Sequence, residues 1–198
     1  MREVELNAVV DDVRRRRSEL ERAGGKLVFE GKLRDRRYDV ESRELSRRDE
    51  VLRVRRYESR AGTKTNLDWK GPTETHDDYK VREEVSTGVE DFESLSTVLN
   101  KLGFVVTREI DRDIAQYEHG GATIRFETYP RMDALVEVEG DPEAIEGAIE
   151  ALGMARGEFS SRRLADFVEA FERRTGVQAA VSDRELDGDY SLRKAAAR

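Results

Sequence analysis

The sequence contains no cysteine and only two histidines, and both shortages exclude kinds of chemistry. Without thiols the chain forms no disulfide and offers no thiolate ligand to a metal ion. His76 and His119 both lie beside turn-forming residues, which argues against catalysis by histidine and against a zinc site built on imidazoles. Any metal ion bound by this protein should therefore be a hard cation held by carboxylates.

Long apolar runs are also missing from the sequence. No run approaches the roughly 20 residues that span a bilayer, and the N-terminal residues lack the apolar core of a signal peptide. The net charge of −7 disfavours general binding to nucleic acid. We therefore expect a cytoplasmic protein that has neither a membrane nor a nucleic acid as its partner.

Charge and regular periodicity are what the sequence does contain. Of the 198 residues, 40% are charged, and the mean hydropathy is −0.77. Apolar residues nevertheless recur at fixed intervals along most of the chain, which indicates a folded protein rather than a disordered one. The length allows one domain with an appendage. We assign residues 1–155 to a barrel domain and residues 156–198 to a C-terminal helix with a tail that frays from about Ser182.

Alternation of apolar and polar residues predicts eight or so strands in mostly sequential order. After a first strand near Glu3 to Val10 come KLVFEG, RRYDV, VLRVRRYE, TKTNLDWK, YKVREEVS, FVVTREIDRDIAQYE, ATIRFETY and ALVEVEG. Helices are expected after Asp11 or Asp12, from about Val89 to Leu102, from Asp141 to Gly153, and in SSRRLADFVEAFERRTG. Strand–helix–strand units near residues 3–39 and 80–117 suggest two similar halves. We predict an α+β fold, an antiparallel eight-stranded β-barrel with helices packed outside.

Each of five strands has one apolar face and one face that carries both signs of charge. In VLRVRRY, Leu52 and Val54 share one face, while Arg53 and Arg55 share the other. The charged faces of the other four strands carry Asp68, Lys70, Lys80, Arg82, Glu84, Arg125, Glu127, Glu137 and Glu139. Inside a barrel such charges are costly unless they compensate one another or bind a ligand. A polyphosphate on the cations and a divalent ion on the glutamates would satisfy them.

The opening stretch EVELN places Glu3, Glu5 and Asn7 on one face of the first strand. Taken by itself, this pattern fits a solvent-exposed face better than a metal site, because exposed glutamates are common. Glu137 and Glu139 form a matching pair on the last strand, and this second pair favours metal binding.

These motifs together resemble the CYTH superfamily, the triphosphate tunnel metalloenzymes. That superfamily includes class IV adenylyl cyclases, thiamine triphosphatases and inorganic triphosphatases. EVELN resembles its Glu-x-Glu-x-Lys, LRVRR its Leu-Arg-x-Arg, and DWKGP its lysine strand followed by Gly-Pro. KVREE resembles its Lys-x-Arg-x-Glu, and LVEVEG its late pair of glutamates. The resemblance covers about residues 1–155 in a single register.

The resemblance implies a site for Mg²⁺ or Mn²⁺ and a site for a triphosphate inside the barrel. The metal ligands would be Glu3, Glu5, Glu137 and Glu139, with Glu127 and Glu84 in support. The triphosphate would be bound by Arg53, Arg55, Lys70, Lys80, Arg82 and Arg112, with Arg125 as an addition. The residues acting in catalysis would be Arg53, Arg55, Lys80 and Arg82. Guanidinium groups suit this role because their planar fork meets two phosphate oxygens at once.

Two positions depart from the family pattern. Asn7 stands where the family has a lysine, and it would still donate a hydrogen bond to a phosphate oxygen, though without charge. Ile114 stands where the family has a basic residue two positions beyond Arg112, and Arg108 or Arg125 would have to compensate. Each loss amounts to ~1–3 kcal/mol of charge-assisted bonding.

We therefore expect a metal-dependent enzyme that hydrolyses inorganic tripolyphosphate, a nucleoside triphosphate or thiamine triphosphate. One alternative is a class IV adenylyl cyclase that converts ATP to cyclic AMP and pyrophosphate, because the same cations and metal serve both reactions. Another is a non-catalytic sensor of polyphosphate or nucleotide, motivated by Asn7 and Ile114. Hydrolysis is favoured because the sequence marks no adenine pocket.

Three further expectations concern packing. Trp69 lies on the apolar face of its strand, which predicts a place in the core. The arginines at positions 14–17 fan around a helix and should form a solvated face paired with nearby acids. The C-terminal segment should either cover an end of the barrel or form a homodimer contact through Leu164, Phe167 and Phe171.

Overall fold

The predicted strands and helices form a closed β-barrel with helices on its outside. The structure, a computed structural model, describes residues 2–76 and 79–196. The strands are β1 (Arg2–Val9), β2 (Lys26–Val40), β3 (Val51–Ser59), β4 (Gly62–Lys70), β5 (Glu74–His76), β6 (Tyr79–Val89), β7 (Phe104–His119), β8 (Ala122–Thr128) and β9 (Leu135–Glu139). The helices are α1 (Val13–Arg22), α2 (Glu44–Arg47), α3 (Phe92–Lys101), α4 (Pro142–Ala151), α5 (Leu164–Thr175), α6 (Asp183–Leu186) and α7 (Ser191–Ala196), with a 3-10 turn at Arg156–Glu158.

Eight of the nine described strands pair in a ring. The order is β1-β9-β8-β7-β2-β3-β4-β6, and β6 returns to pair with β1. All strand pairings in the described part of the chain are antiparallel, and the short β5 pairs with β6 beside the ring. The predicted α+β class and eight-stranded barrel are confirmed. No helix within the described ranges is long and apolar enough to cross a membrane.

The longest pairing in the barrel joins β2 to β7. KLVFEG and RRYDV, predicted as separate strands, form the single strand β2, which pairs with β7 along its whole length. Register shifts at Leu27/Phe29 and Arg37/Tyr38 mark bulges that bend these long strands around the barrel. The two predicted halves are also present, since β1–α1–β2 corresponds to β6–α3–β7, with β1 paired to β6 and β2 paired to β7.

The four predicted helices, α1, α3, α4 and α5, begin and end at or near the expected signals, whereas the short helices α2, α6 and α7 were not predicted. The Asp12 side chain caps α1 by accepting a hydrogen bond of 3.0 Å from a backbone N–H in the first turn. Asp91 caps α3 in the same way, so this helix begins slightly later than predicted. Pro142 occupies the first turn of α4, and Gly176, with a φ of 69°, ends α5.

The apolar faces of the strands point outward beneath the helices. Leu6, Val136 and Val138 are fully buried in a cluster that includes residues of α1 and α4. Val54 belongs to a smaller cluster that includes residues of α3. Trp69 shares this outer face, as predicted, but it is only partly buried and lies outside the buried clusters of the described residues. The charged faces of the strands consequently point into the barrel.

Arg16 departs from the predicted solvated face of α1. It is 7% exposed and donates a hydrogen bond of 2.6 Å to the carbonyl oxygen of Gly153. It also pairs with Asp11 at 2.8 Å and with Glu19 at 2.9 Å. Arg15 does lie on the surface, where it pairs with Glu19. Arg16 therefore ties α1 to the end of α4, because the two helices pack side by side.

The C-terminal segment covers part of one end of the barrel, which was one of its two expected roles. Phe167 on α5 is buried in a cluster with Ile110 and Leu135, two side chains that line the barrel interior. Leu164 and Phe171 pack against the same cluster, so this stripe is not an exposed dimer face. A homodimer formed through another surface stays a prediction.

The tail was expected to fray from Ser182, but residues 182–193 pack against the barrel. Ser182 and Tyr190 are buried, and the backbone N–H of Asp183 donates a hydrogen bond of 3.0 Å to the buried carboxylate of Asp111. Fraying is therefore wrong for these residues, because they are partly buried and their polar groups find partners on β7 and elsewhere in the described chain. The division of the chain at residue 155 stays a prediction.

Candidate anion-binding site

A cavity of about 280 Å³ opens at the barrel end that the C-terminal segment partly covers. Nine cationic side chains and four carboxylates line this cationic cavity. The cations are Arg37, Arg53, Lys70, Lys80, Arg82, Arg108, Arg112, Arg162 and Arg163. The carboxylates are Glu5, Asp49, Glu127 and Glu137. Such an excess of positive charge, inside a protein of net charge −7, is typical of an anion site.

Most of the predicted phosphate ligands lie in the cationic cavity. Those lining it are Asn7, Arg53, Lys70, Lys80, Arg82 and Arg112. Arg55 and Arg125 instead line a second cavity of about 550 Å³ toward the other end of the barrel. The strands bring all of them into one interior because residues two apart on a strand share a face. Their roles toward a phosphate stay predictions.

A cluster of ion pairs lies between the residues of the two cavities. Asp68 is fully buried; it accepts a hydrogen bond of 3.3 Å from Nε of Arg53 and another from Nε of Arg55. Glu84, predicted as a supporting metal ligand, pairs with Arg55 at 3.1 Å and with Lys70 at 3.2 Å. Asp68 was missed as a site residue although the alternation placed it on the inner face. These carboxylates fix the guanidinium groups in position before any ligand binds.

Glu127 lies in a second ion-pair cluster. Nε of Arg112 donates a hydrogen bond of 2.8 Å to the Glu127 carboxylate, and the Tyr129 hydroxyl donates another. Burial alone would lower the pKa of Arg112, but the charges of Glu127 and Tyr129 raise it overall. Burial and Glu127 raise the pKa of Tyr129 well above its usual value. Glu127, also predicted to support the metal, is thus bound by a cation in the free protein.

Three other predicted metal ligands crowd one another. Glu5 accepts a hydrogen bond from Lys80, and Glu137 accepts one of 2.6 Å from Nη1 of Arg125. Burial would raise the pKa of Glu137, but neighbouring cations, Arg125 foremost, lower it to about 2. Burial and the charges of Glu137 and Glu5 raise the pKa of Glu139. Glu139 therefore lies near enough to Glu137 and to Glu5 for their negative charges to repel its own.

Hard oxygen donors of this kind are those that Mg²⁺ and Mn²⁺ prefer, and a divalent cation would relieve their repulsion. Within residues 2–76 and 79–196, no group of three or more acidic or histidine side chains is arranged to hold a metal ion. Glu3, the remaining predicted ligand, lies on β1 opposite Arg82, and its side chain is outside the described residues. The donor chemistry fits the metal, while the metal site itself stays a prediction.

Neither of the two positions that depart from the family pattern carries a cationic side chain. Asn7 lines the cationic cavity, and Ile114 is 3% exposed in the barrel wall. Arg108, named above as a compensating residue, does line the cavity, and so do Arg37 and residues 162–163, which were missed. The alternation of residues along β2 marks Arg37 as an inward-facing residue. This signal was hidden because β2 was predicted as two separate strands.

The second cavity has a different chemical character. Phe29 and Tyr57 meet edge to face in its wall, with ring centroids 5.6 Å apart. Asn66 and Gln116 add amide groups, and Oδ1 of Asn66 is buried without a hydrogen bond from the described residues. Val28, 47% exposed, extends the apolar surface. An aromatic wall with nearby amides suits a flat ring that carries heteroatoms.

The sequence model of the CYTH domain matches residues 1–151. The chain belongs to the CYTH domain family. The matched part of this CYTH protein contains every strand of the barrel and ends with α4, so the C-terminal segment that rims the cationic cavity lies outside it. No curated protein matches the sequence.

Solved structures share the fold of this CYTH protein. The PH1819 protein of Pyrococcus horikoshii superimposes with a TM-score of 0.70 at 22% identity, over 85% of this chain and 98% of that one. A candidate adenylate cyclase of Vibrio parahaemolyticus gives 0.71 at 18% identity, over 84% and 97%. HpAC1 of Hippeastrum, a candidate adenylyl cyclase with a dominant triphosphatase activity, gives 0.58 at 15% identity, over 85% and 95%. At these identities the likeness shows the fold alone.

Proposed function

We propose that this CYTH protein is a metal-dependent enzyme that binds a triphosphate inside its barrel and hydrolyses it. The observation that carries the proposal is the cationic cavity, with nine cations against four carboxylates in a protein of net charge −7. The activities named for the Vibrio and Hippeastrum structures support the same class of substrate. The cytoplasmic location and the absence of nucleic-acid and membrane partners stay predictions.

The inner cations would act on the phosphate oxygens. Water attacks the terminal phosphorus, the bond to the bridging oxygen breaks, and the remaining diphosphate leaves. Arg53, Arg55, Lys80 and Arg82 bind the non-bridging oxygens and the leaving group, where negative charge is concentrated during the reaction. A bound Mg²⁺ or Mn²⁺, held by Glu3, Glu5, Glu137 and Glu139, would supply further neutralising charge on those oxygens.

The ion pairs of the free protein link the two ligands. Lys80 contacts Glu5, and Arg125 contacts Glu137, so two proposed phosphate ligands are bound to two proposed metal ligands. If Lys80 bound a triphosphate instead of Glu5, the Glu5 carboxylate would become available to a metal ion. Binding of the triphosphate and of the metal should therefore reinforce each other.

The second cavity favours an organic triphosphate, and with it the cyclase reaction as the second candidate. Phe29 and Tyr57 offer aromatic surface to a nucleobase or another flat ring, while Asn66 and Gln116 offer amide hydrogen bonds. With the ring there, the phosphate chain would extend toward the cationic cavity. In a cyclase the 3′-hydroxyl attacks the α-phosphorus and pyrophosphate leaves, so the position of the chain along the barrel decides the product.

Product analysis with ATP, thiamine triphosphate and inorganic tripolyphosphate, each with Mg²⁺ or Mn²⁺, tests the proposal. Orthophosphate is the expected product. Its release should fall by more than about 100-fold in Glu3→Ala/Glu5→Ala protein, because losing even an outer-shell partner of a metal site costs 10–100-fold. Cyclic AMP with pyrophosphate would establish the cyclase instead.

The matched control is Glu90→Ala/Glu93→Ala, which removes two exposed glutamates near the start of α3 and should leave the rate unchanged. Tripolyphosphate binding without product from any substrate would favour the sensor. A wild-type protein that neither binds nor converts the three substrates would contradict the proposal altogether.

A further inference from the structure

Two partly buried arginines in the cationic cavity have no ion-pair partner among the described residues. Arg37 on β2 and Arg108 on β7 both line the cavity and lie directly opposite each other in the register of the two strands. Nε of Arg37 is buried and has no hydrogen-bond partner in the described part of the chain, and the same holds for Nη1 of the nearby Arg112. Other cations of the cavity contact carboxylates, as Arg53, Lys80 and Arg112 do.

This arrangement is unfavourable in the free protein. Like charges opposite each other on neighbouring strands destabilise a sheet, and Arg37 also lies opposite Arg53 on β3. Asp35, two residues earlier on β2, is 1% exposed, but its oxygens accept no hydrogen bond from the described residues, and its ion contact is with Arg53 at 3.6 Å. Burial and the charges of Arg108 and Arg53 lower the pKa of Arg37 to about 10, despite the opposing charge of Asp35.

An anion would resolve this unfavourable arrangement. The oxygens of a phosphoryl group each accept more than one hydrogen bond, and the planar forks of two guanidinium groups can meet several of them at once. We propose that Arg37 and Arg108 form a subsite for the terminal phosphoryl group of the triphosphate, beyond the cations that the sequence motifs supply. The assignment rests on the proposed function, because it places one part of the same ligand.

The position of the subsite gives the ligand a direction. Ile110, the next inward residue after Arg108 on β7, packs against Phe167 of the C-terminal segment, so Arg37 and Arg108 lie toward the covered end of the barrel. The terminal phosphoryl group therefore points to the covered end, and the remainder of the ligand extends toward the second cavity. The two guanidinium groups of the subsite also supply positive charge in place of the two cations that are missing at Asn7 and Ile114.

Isothermal titration calorimetry with inorganic tripolyphosphate and with pyrophosphate, in buffer containing EDTA so that no metal-dependent turnover occurs, tests the subsite. Arg37→Gln and Arg108→Gln should each raise the Kd for tripolyphosphate about tenfold, which corresponds to about 1.4 kcal/mol. The Kd for pyrophosphate should change less, because the shorter anion is held by the motif cations. Arg37→Lys, which keeps the charge but loses the fork, should give an intermediate Kd.

Thermal unfolding of the same variants separates binding from a structural role. Removing one of two facing guanidinium groups should leave the Tm of the free protein unchanged or raise it, while the Tm increase caused by tripolyphosphate becomes smaller. Arg173→Gln removes an exposed arginine of α5 and is the matched control, with wild-type behaviour expected. An unchanged Kd for tripolyphosphate in both variants would overturn the subsite while the proposed function stands. A wild-type protein that binds neither anion would overturn both.

Discussion

Asn7 shows how one inward side chain sets the charge of the site. It lines the cationic cavity and lies opposite Glu137 in the register of β1 and β9. An amide at this position adds no positive charge, whereas the carboxylate of Glu137 remains beside it. The local balance of charge at position 7 therefore disfavours a polyanion, and a lysine would reverse it.

We expect Asn7→Lys to lower the Kd for tripolyphosphate about tenfold, because a charge-assisted hydrogen bond contributes ~1.5–3 kcal/mol and Glu137 neutralises part of that gain. Titration calorimetry measures the change. Asn100→Lys, on the exposed side of α3, adds the same charge outside the barrel and should leave the Kd unchanged. If Asn7→Lys behaves like this control, position 7 does not contact the ligand.

At the scale of secondary-structure elements, α5 connects the C-terminal segment to the site. The family match ends at residue 151, yet Phe167 and Arg162 of the later segment line the cationic cavity. Phe167 is 6% exposed and packs with Ile110 and Leu135 of the barrel. Apolar contacts and the ion pair of Arg174 with Asp133 at 2.6 Å, rather than strand pairing, hold this helix to the barrel.

Phe167→Ala should lower the free energy of unfolding by about 3–5 kcal/mol, because it removes a buried aromatic ring and leaves a cavity. Urea unfolding followed by circular dichroism measures the loss. Leu102→Ala, at a residue 66% exposed, should cost less than about 0.5 kcal/mol. A cost below about 1 kcal/mol at Phe167 would mean that α5 is not docked on the barrel in solution.

For the whole molecule, carboxylates set the response to acid. Hydrogen bonds from Arg16 lower the pKa of Asp11 to about 2. Burial would raise the pKa of Asp39, but hydrogen bonds from the start of α2, those of Ser46 foremost, lower it overall. A hydrogen bond from Lys32 lowers the pKa of Asp183. Each of these groups binds a proton more readily in the unfolded chain than in the folded one.

The stability that these carboxylates contribute is therefore present above their unfolded pKa and is lost as the pH falls. We expect the urea midpoint to be nearly constant between pH 6 and 8, because the chain has only two histidines, and to fall between about pH 4.5 and 2. Glu139 has a raised pKa and binds a proton more readily in the folded chain, so this one group makes the protein more stable as the pH falls.

Asp39→Asn provides the control for the acid response. Asp39 is 1% exposed and accepts hydrogen bonds from the backbone N–H groups of Leu45 and Ser46. The substitution should lower stability at pH 7 and reduce the slope below pH 4.5, since one titrating group is removed. A urea midpoint that rises on acidification would contradict the linkage argument.

The features that could be predicted from the sequence have local causes, whereas those that were missed have long-range causes. The helix cap at Asp12, one of the two residues named for it, and the inward parity of Arg53 depend on neighbours a few residues away, so local patterns in the sequence predicted them. The pairing of Arg37 with Arg108 depends on the register of β2 and β7, which no local pattern specifies. The second cavity combines residues from distant strands for the same reason, and it was missed.

The sequence by itself determined the barrel, the apolar outer faces, the charged interior and the family, because alternation and motif spacing are local properties of the chain. Tertiary structure alone decided which charges meet. It placed Asp68 between two arginines, left Arg37 facing Arg108, buried Arg16, and brought the C-terminal segment over one end of the barrel. These outcomes follow from strand register and helix docking, where contacts join residues far apart in the chain.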